Sequence, residues 1–152
     1  MIPARAAAAR NIKSVMENKT KNEKHFIADI PLKALIVNSG KVLLVRDSGG
    51  AWELPGGRIN EGEKIEEALK RELMEELGVH IEVKNIFDAF CFVSASGKNH
   101  FVAVYECEAT NLGDMNMADG EVKELKWVGV GEFESLSTRQ YDGVLKKYFS
   151  QL

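Results

Sequence analysis

The feature that most constrains this chain is one amphipathic helix set between strand-like segments. Residues 64 to 77 place Ile65, Ala68, Leu69, Leu73 and Leu77 on one stripe, and Gly78 follows as a C-terminal cap. A helix with a single apolar stripe must bury it against another element. The surroundings supply sheet. Residues 30 to 37 and 42 to 45 read as two strands of a hairpin turning through Asn38, Ser39 and Gly40. A glycine-rich loop over residues 49 to 57 leads into the helix. Strands are predicted after it at residues 81 to 93, bent or broken near Asn85, at 101 to 108 beyond a turn at 94 to 99, and at 121 to 128. The turn residues make this stretch antiparallel. A last helix is predicted to start at Ser137, where Ser137 and Gln140 form a capping-box pattern, and to bury Tyr141, Val144, Leu145, Tyr148 and Phe149.

The helix also carries an unusual set of charges. Successive residues advance by about 100°, so relative to Glu72 the side chains of Glu75 and Glu76 fall near about 300° and about 40°. Ile65, Leu69, Leu73 and Leu77 fall at about 20° to about 140° on the same wheel, which puts Glu72 and Glu76 inside or beside the apolar sector. Like charges three and four residues apart repel, more so when partly buried, so the cluster needs a compensating partner. One candidate is a hard dication, because clustered carboxylate oxygens suit Mg²⁺. The other is ordinary pairing with Arg71, Lys70 or further lysines. Just before the helix, Pro55, Gly56 and Gly57 let backbone groups approach a ligand closely, or simply make a turn.

Residues 57 to 79 resemble the Nudix box, a glycine, five residues, Glu, seven residues, then Arg-Glu-apolar-any-Glu-Glu-any-Gly-apolar. Gly57, Glu63, Arg71, Glu72, Leu73, Glu75, Glu76, Gly78 and Val79 fill its fixed positions without a departure, and Trp52-Glu53-Leu54-Pro55-Gly56-Gly57 looks like the family lead-in. The resemblance in element order runs from about His25 to the C-terminus. It implies an α/β fold, an α/β/α sandwich with a mixed sheet, and a loop-helix-loop metal site. It also implies Glu72, Glu75 and Glu76 as metal ligands or base, the Gly57 carbonyl as a backbone ligand, and Glu63 and Arg71 as braces, Arg71 by pairing with a box carboxylate. Glu121 resembles an additional acidic residue that some members bring to the metal from a distant loop; a solvent-facing strand residue is the plainer alternative. The activity implied is Mg²⁺- or Mn²⁺-dependent attack of water on a phosphoanhydride in a nucleoside-diphosphate-type substrate, with Glu72 or Glu75 favoured as base over Glu121 and Arg71 in the catalytic set. A nucleotide-sensing or protein-interaction module that keeps the box without turnover is the competing class.

Residues outside the box add limits rather than chemistry. The chain has 152 residues with 45% hydrophobic and 28% charged, enough for one domain over residues 25 to 152 and too few for a second. The net charge of −3 divides as +4 over residues 1 to 24 and −7 over the rest, which marks a basic arm or short helix carrying Ile12, Val15 and Met16. That arm is compatible with a homodimer contact. The positive residues form no dominant block, which argues against general nucleic-acid binding. Every apolar run is interrupted by charge, which argues against a membrane span. Cys91 and Cys107, both expected to be buried thiols in apolar strands, argue against a disulfide framework and for a cytoplasmic, reducing setting. His25, His80 and His100 lack ligand spacing, and Trp52, Phe90, Phe92 and Phe101 are expected to be core rather than base-stacking residues. Residues 90 to 99 contain neither the Pro often seen in ADP-ribose pyrophosphatases nor the Tyr often seen in dinucleoside-polyphosphate hydrolases, which weakens both substrate assignments.

Overall fold

The computed structural model describes residues 24 to 117 and 120 to 152, so the arm expected over residues 1 to 24 lies outside the described residues apart from Lys24. The predicted hairpin forms from β1 (Pro31–Asn38) and β2 (Lys41–Arg46), with Val37 opposite Val42. Its turn residues Ser39 and Gly40 both take positive φ, 51° and 73°, the backbone twist that a two-residue hairpin loop demands.

The stretch expected as a loop is more ordered than that. It contains two short strands, β3 (Trp52–Glu53) on β2 and β4 (Gly56–Arg58) on β1. Helix α1 (Ile65–Leu77) follows. Glu67 accepts the Lys64 N–H at 3.0 Å to close its first turn, and Gly78, at φ 63°, returns its own N–H to the Met74 carbonyl at 3.0 Å.

Strand β5 (Ile81–Val93) pairs antiparallel with β6 (Asn99–Ala109), and the irregularity expected near Asn85 is a pair of register shifts between Val83 and Asp88. Strand β7 (Glu124–Val128) lies antiparallel to β2. It begins three residues later than predicted, which leaves Glu121 in the preceding loop. The sheet is mixed because β1 runs parallel to β6, Leu32 to Ile36 against Ala103 to Cys107.

Alternation along the strands supplies two buried layers. Leu32, Ala34, Ile36, Leu43, Val45 and Ala103 face Ala68, Leu69, Leu73 and Leu77 of α1. Leu35, Val42, Leu44, Val102 and Val104 face Tyr141, Val144, Leu145 and Phe149 at the C-terminal end. Burying each of the fully enclosed leucines of α1 contributes about 1.5–3 kcal/mol. The result is the α/β/α sandwich with a mixed sheet.

Five local expectations are corrected. Ile65, in the first turn of α1, is 41% exposed rather than part of the buried stripe. The last helix, α2 (Asp142–Phe149), starts later than Ser137. The Ser137 carbonyl is taken by the Trp52 N–H at 2.9 Å, and Arg139 at φ 47° breaks the run, so Arg139–Tyr141 forms only a short 3-10 turn. Tyr148 is half-buried, while the other expected core residues of this segment are enclosed. Cys107 is buried but Cys91 is exposed, since β5 is an edge strand and the Cys91 and Phe101 pair near its hairpin tip stays open. Trp52 is core as expected, and Phe90 and Phe92 pack against the second layer, whereas Phe101 is exposed. Among the described residues, no helix is long and apolar enough to cross a membrane.

Candidate active site

Strand β4 brings the Pro55-Gly56-Gly57 segment alongside α1, and Gly56 is a steric requirement there. At Gly56, φ is 133° and a Cβ would collide with the Leu32 carbonyl oxygen; at Gly57 a Cβ would collide with the Glu72 carboxylate. The Glu72 side chain therefore lies directly on the Gly57 backbone. Its side chain is 16% exposed.

Arg71 organises the adjoining carboxylates. Its Nε and Nη2 donate to Glu63 at 2.6 and 2.9 Å, and its Nη1 donates to Glu72 at 3.0 Å and to Glu75 at 3.2 Å. Nη2 also donates to the Arg58 carbonyl at 3.0 Å. The Arg71 hydrogen bonds, and then the Asn60 N–H, hold the Glu63 carboxyl down at about 2. Bonding to Glu63 in turn raises the pKa of the guanidinium, although burial opposes it.

Glu76 sits on the sheet side of the helix. Its Oε2 accepts the Gly56 N–H at 2.9 Å. Burial pushes its carboxyl up to about 7, against the opposing pull of Lys33 and the Gly56 amide. Glu75, by contrast, has a side chain 54% exposed and pairs with Arg71 at the solvent edge.

An open cleft of about 440 Å³ adjoins this face, and Glu53, Glu76, Glu121, Asp47 and Lys123 line it. The fold thus brings Glu121, which is remote in sequence, into the same cleft as Glu76, while Glu72 and Glu75 remain on the Arg71 side. Glu53 and Lys33 were not singled out from sequence. Lys33 Nζ donates to Glu53 at 3.1 Å and to the Gly56 carbonyl at 3.3 Å. The available signal was a lysine in an otherwise apolar strand and a glutamate between Trp52 and Leu54. A smaller hollow of about 170 Å³ shares Asp47 and Glu53 and is lined by Trp52, Thr138 and Gln140. The Thr138 hydroxyl is buried without a hydrogen-bond partner among the described residues.

Among the described residues, no three His, Cys, Asp or Glu side chains are gathered around one point that could hold a metal ion. Glu72 and Glu75 engage Arg71, and Glu76 engages the Gly56 amide. The donor chemistry nonetheless fits a hard divalent cation: the acceptors are all oxygen, and burial makes the Glu76 carboxyl costly to ionise without a further cation beside it.

Comparison with known proteins gives the family. The chain is similar to an uncharacterised Nudix hydrolase, YvcI, of Bacillus subtilis, 28% identical over 105 residues that are 67% of this chain and 66% of that protein. It is also similar to a putative 8-oxo-dGTP diphosphatase of the same organism, 35% identical over 95 residues, 61% of this chain and 60% of that protein. The chain thus spans somewhat less than two thirds of these relatives' own length. The crystal structure of a MutT protein from Methanosarcina mazei superposes with a TM-score of 0.68 at 26% identity, covering 85% of this chain and 95% of that one. Since the NUDIX domain model matches residues 32–149, most of the chain, the protein belongs to the Nudix family.

Proposed function

We propose that this protein is a metal-dependent pyrophosphohydrolase that hydrolyses a phosphoanhydride bond in a nucleoside di- or triphosphate, or in a nucleoside diphosphate linked to another moiety. The observation that carries the reading is the Glu72 carboxylate lying against the Gly57 backbone, in space that a side chain at residue 57 would take from it. The Gly57 carbonyl with Glu72, Glu75, Glu76 and Glu121 would hold Mg²⁺, or Mn²⁺ in its place. Bound there, the ion supplies neutralisation of the phosphates and acidification of a water.

The chain's own groups do the rest. Arg71 fixes Glu72 and Glu75 in place through the bonds described above and keeps Glu63 ionised. Glu72 or Glu75 takes the proton from the attacking water. The acidic cleft suits the metal-bound phosphates, while the hollow beside Trp52, with a Thr138 hydroxyl that has no partner among the described residues, suits the organic end of the substrate. The similarity to a putative 8-oxo-dGTP diphosphatase supports a nucleotide substrate. Two free thiols fit a reducing, cytoplasmic setting.

The test is phosphate release from a panel of nucleoside triphosphates, 8-oxo-dGTP, ADP-ribose and dinucleoside polyphosphates. Pyrophosphatase is added for the triphosphates and a phosphomonoesterase for the linked diphosphates, each against a control without the protein. Silence across the panel with Mg²⁺ and with Mn²⁺, from folded protein, would refute hydrolysis and favour a sensing module.

A further inference from the structure

Lys33 takes no part in the chemistry proposed above, yet it is the one charged side chain that is buried among the described residues, 6% exposed. An ammonium is costly to bury unless it is paired. Its two hydrogen-bond partners belong to the rim of the candidate site. Nζ reaches Glu53 Oε2 at 3.1 Å and the Gly56 carbonyl at 3.3 Å, and it lies 5.7 Å from the centre of the Tyr141 ring. The N–H of that same Gly56 goes to Glu76 Oε2 at 2.9 Å. Glu53 and Glu76 both line the acidic cleft. One residue's backbone therefore separates a buried positive charge from a half-buried carboxylate proposed to hold metal.

We infer that Lys33 is a built-in cation that sets how tightly this cleft takes up a divalent metal ion. In the metal-free protein it offsets the charges of Glu53 and Glu76. When a dication enters, the two positive charges compete for the same carboxylates, and the ammonium weakens the uptake. A purely positional role is the weaker explanation, because the loop is held by other means. Strand β4 is paired to β1 with Leu32 opposite Gly57 and Lys33 opposite Gly56, and the Ala34 N–H donates to the Pro55 carbonyl at 2.9 Å. Removing the charge leaves those bonds in place. The inference rests on the metal-site reading above.

The experiment measures Mn²⁺ uptake by the full chain without nucleotide, from the paramagnetic resonance signal of the free ion, so no turnover is needed. Lys33→Met keeps the length of the stem and removes the charge. It should bind Mn²⁺ about tenfold or more tightly than the wild type. Lys33→Arg keeps the charge and should stay within about threefold of the wild type. The metal-free melting temperature of Lys33→Met should fall, and its rise on adding Mn²⁺ should exceed that of the wild type. If this variant does not fold without metal, Glu53→Gln is compared with the double variant Lys33→Met/Glu53→Gln, which leaves no orphaned partner at residue 53. The double variant should again bind more tightly, by a similar factor. Equal or weaker uptake in folded Lys33→Met, or in the double variant against its parent, overturns the inference alone. No uptake by any of the proteins overturns the metal-site reading along with it.

Discussion

Replacing Glu76 by Gln should make the metal-free protein more stable while removing its response to metal. The Glu76 carboxyl is pushed up to about 7 from an ordinary 4.5, chiefly by burial. An unfolded chain ionises this group first, so between those two values the native state binds more protons, and stability falls as pH rises. Below the lower value the group costs nothing. Above the higher one the penalty levels off at about 3 kcal/mol, from about 1.4 kcal/mol per pH unit. Gln has nearly the same volume, and its carbonyl oxygen can still accept the Gly56 N–H, so the substitution removes the charge and little else. In EDTA at pH 8 the variant should melt up to about 6 to 12 °C higher than the wild type, taking about 2–4 °C per kcal/mol for a chain of this size. At pH 4.5 the two should coincide. Addition of Mg²⁺ should then raise the melting temperature of the wild type far more than that of the variant, and turnover of the variant should fall by orders of magnitude. Scanning calorimetry of both proteins at the two pH values, with EDTA and with saturating Mg²⁺, supplies the comparison. A variant that melts lower in EDTA at pH 8 and still turns over would show that Glu76 is a structural partner of Lys33 and Gly56.

Chelation gives a second test: turnover should stop in EDTA, and metal at a hundred times its dissociation constant should add about 2.7 kcal/mol of stability, read as a rise in melting temperature. Full activity in chelator would remove the metal from the mechanism. Gly57→Ala should displace Glu72, whose carboxylate occupies the space of the new methyl group. Turnover should fall by about a hundredfold or more, as expected for an ångström-scale misplacement, with the metal-free protein still folded by circular dichroism; unchanged kinetics would show that the close packing is incidental. Deleting residues 1 to 24 should leave turnover per site intact, since the box and the sheet begin later. Light scattering of the truncated protein would show a halved mass if the arm is a dimer contact, and loss of turnover in folded protein would place the arm in the active site.

The parts of this molecule that were legible in the sequence are those governed by neighbours a few residues apart. The stripe of Leu69, Leu73 and Leu77, the left-handed Gly78 cap, the Ser39-Gly40 turn and the crowding of Glu72, Glu75 and Glu76 all follow from helix or hairpin geometry acting over one or two turns of chain. The bend near Asn85 was visible for the same reason. Contacts between distant segments were not visible. The parallel pairing of β1 with β6, the clasp of Lys33 on Glu53 and Gly56, and the placement of Glu121 with Glu76 join residues that periodicity cannot relate. The last helix shows the two levels in conflict. Ser137 and Gln140 have the local pattern of a helix start, but the Trp52 N–H claims the Ser137 carbonyl, and the helix waits until Asp142. The same division runs through the acidic cluster: spacing puts three carboxylates on one side of α1, and only packing sends Glu76 inward to the Gly56 amide while Glu75 stays at the surface with Arg71. Burial and charge pairing depend on what the rest of the chain places opposite a side chain, and that is a property of the folded sheet.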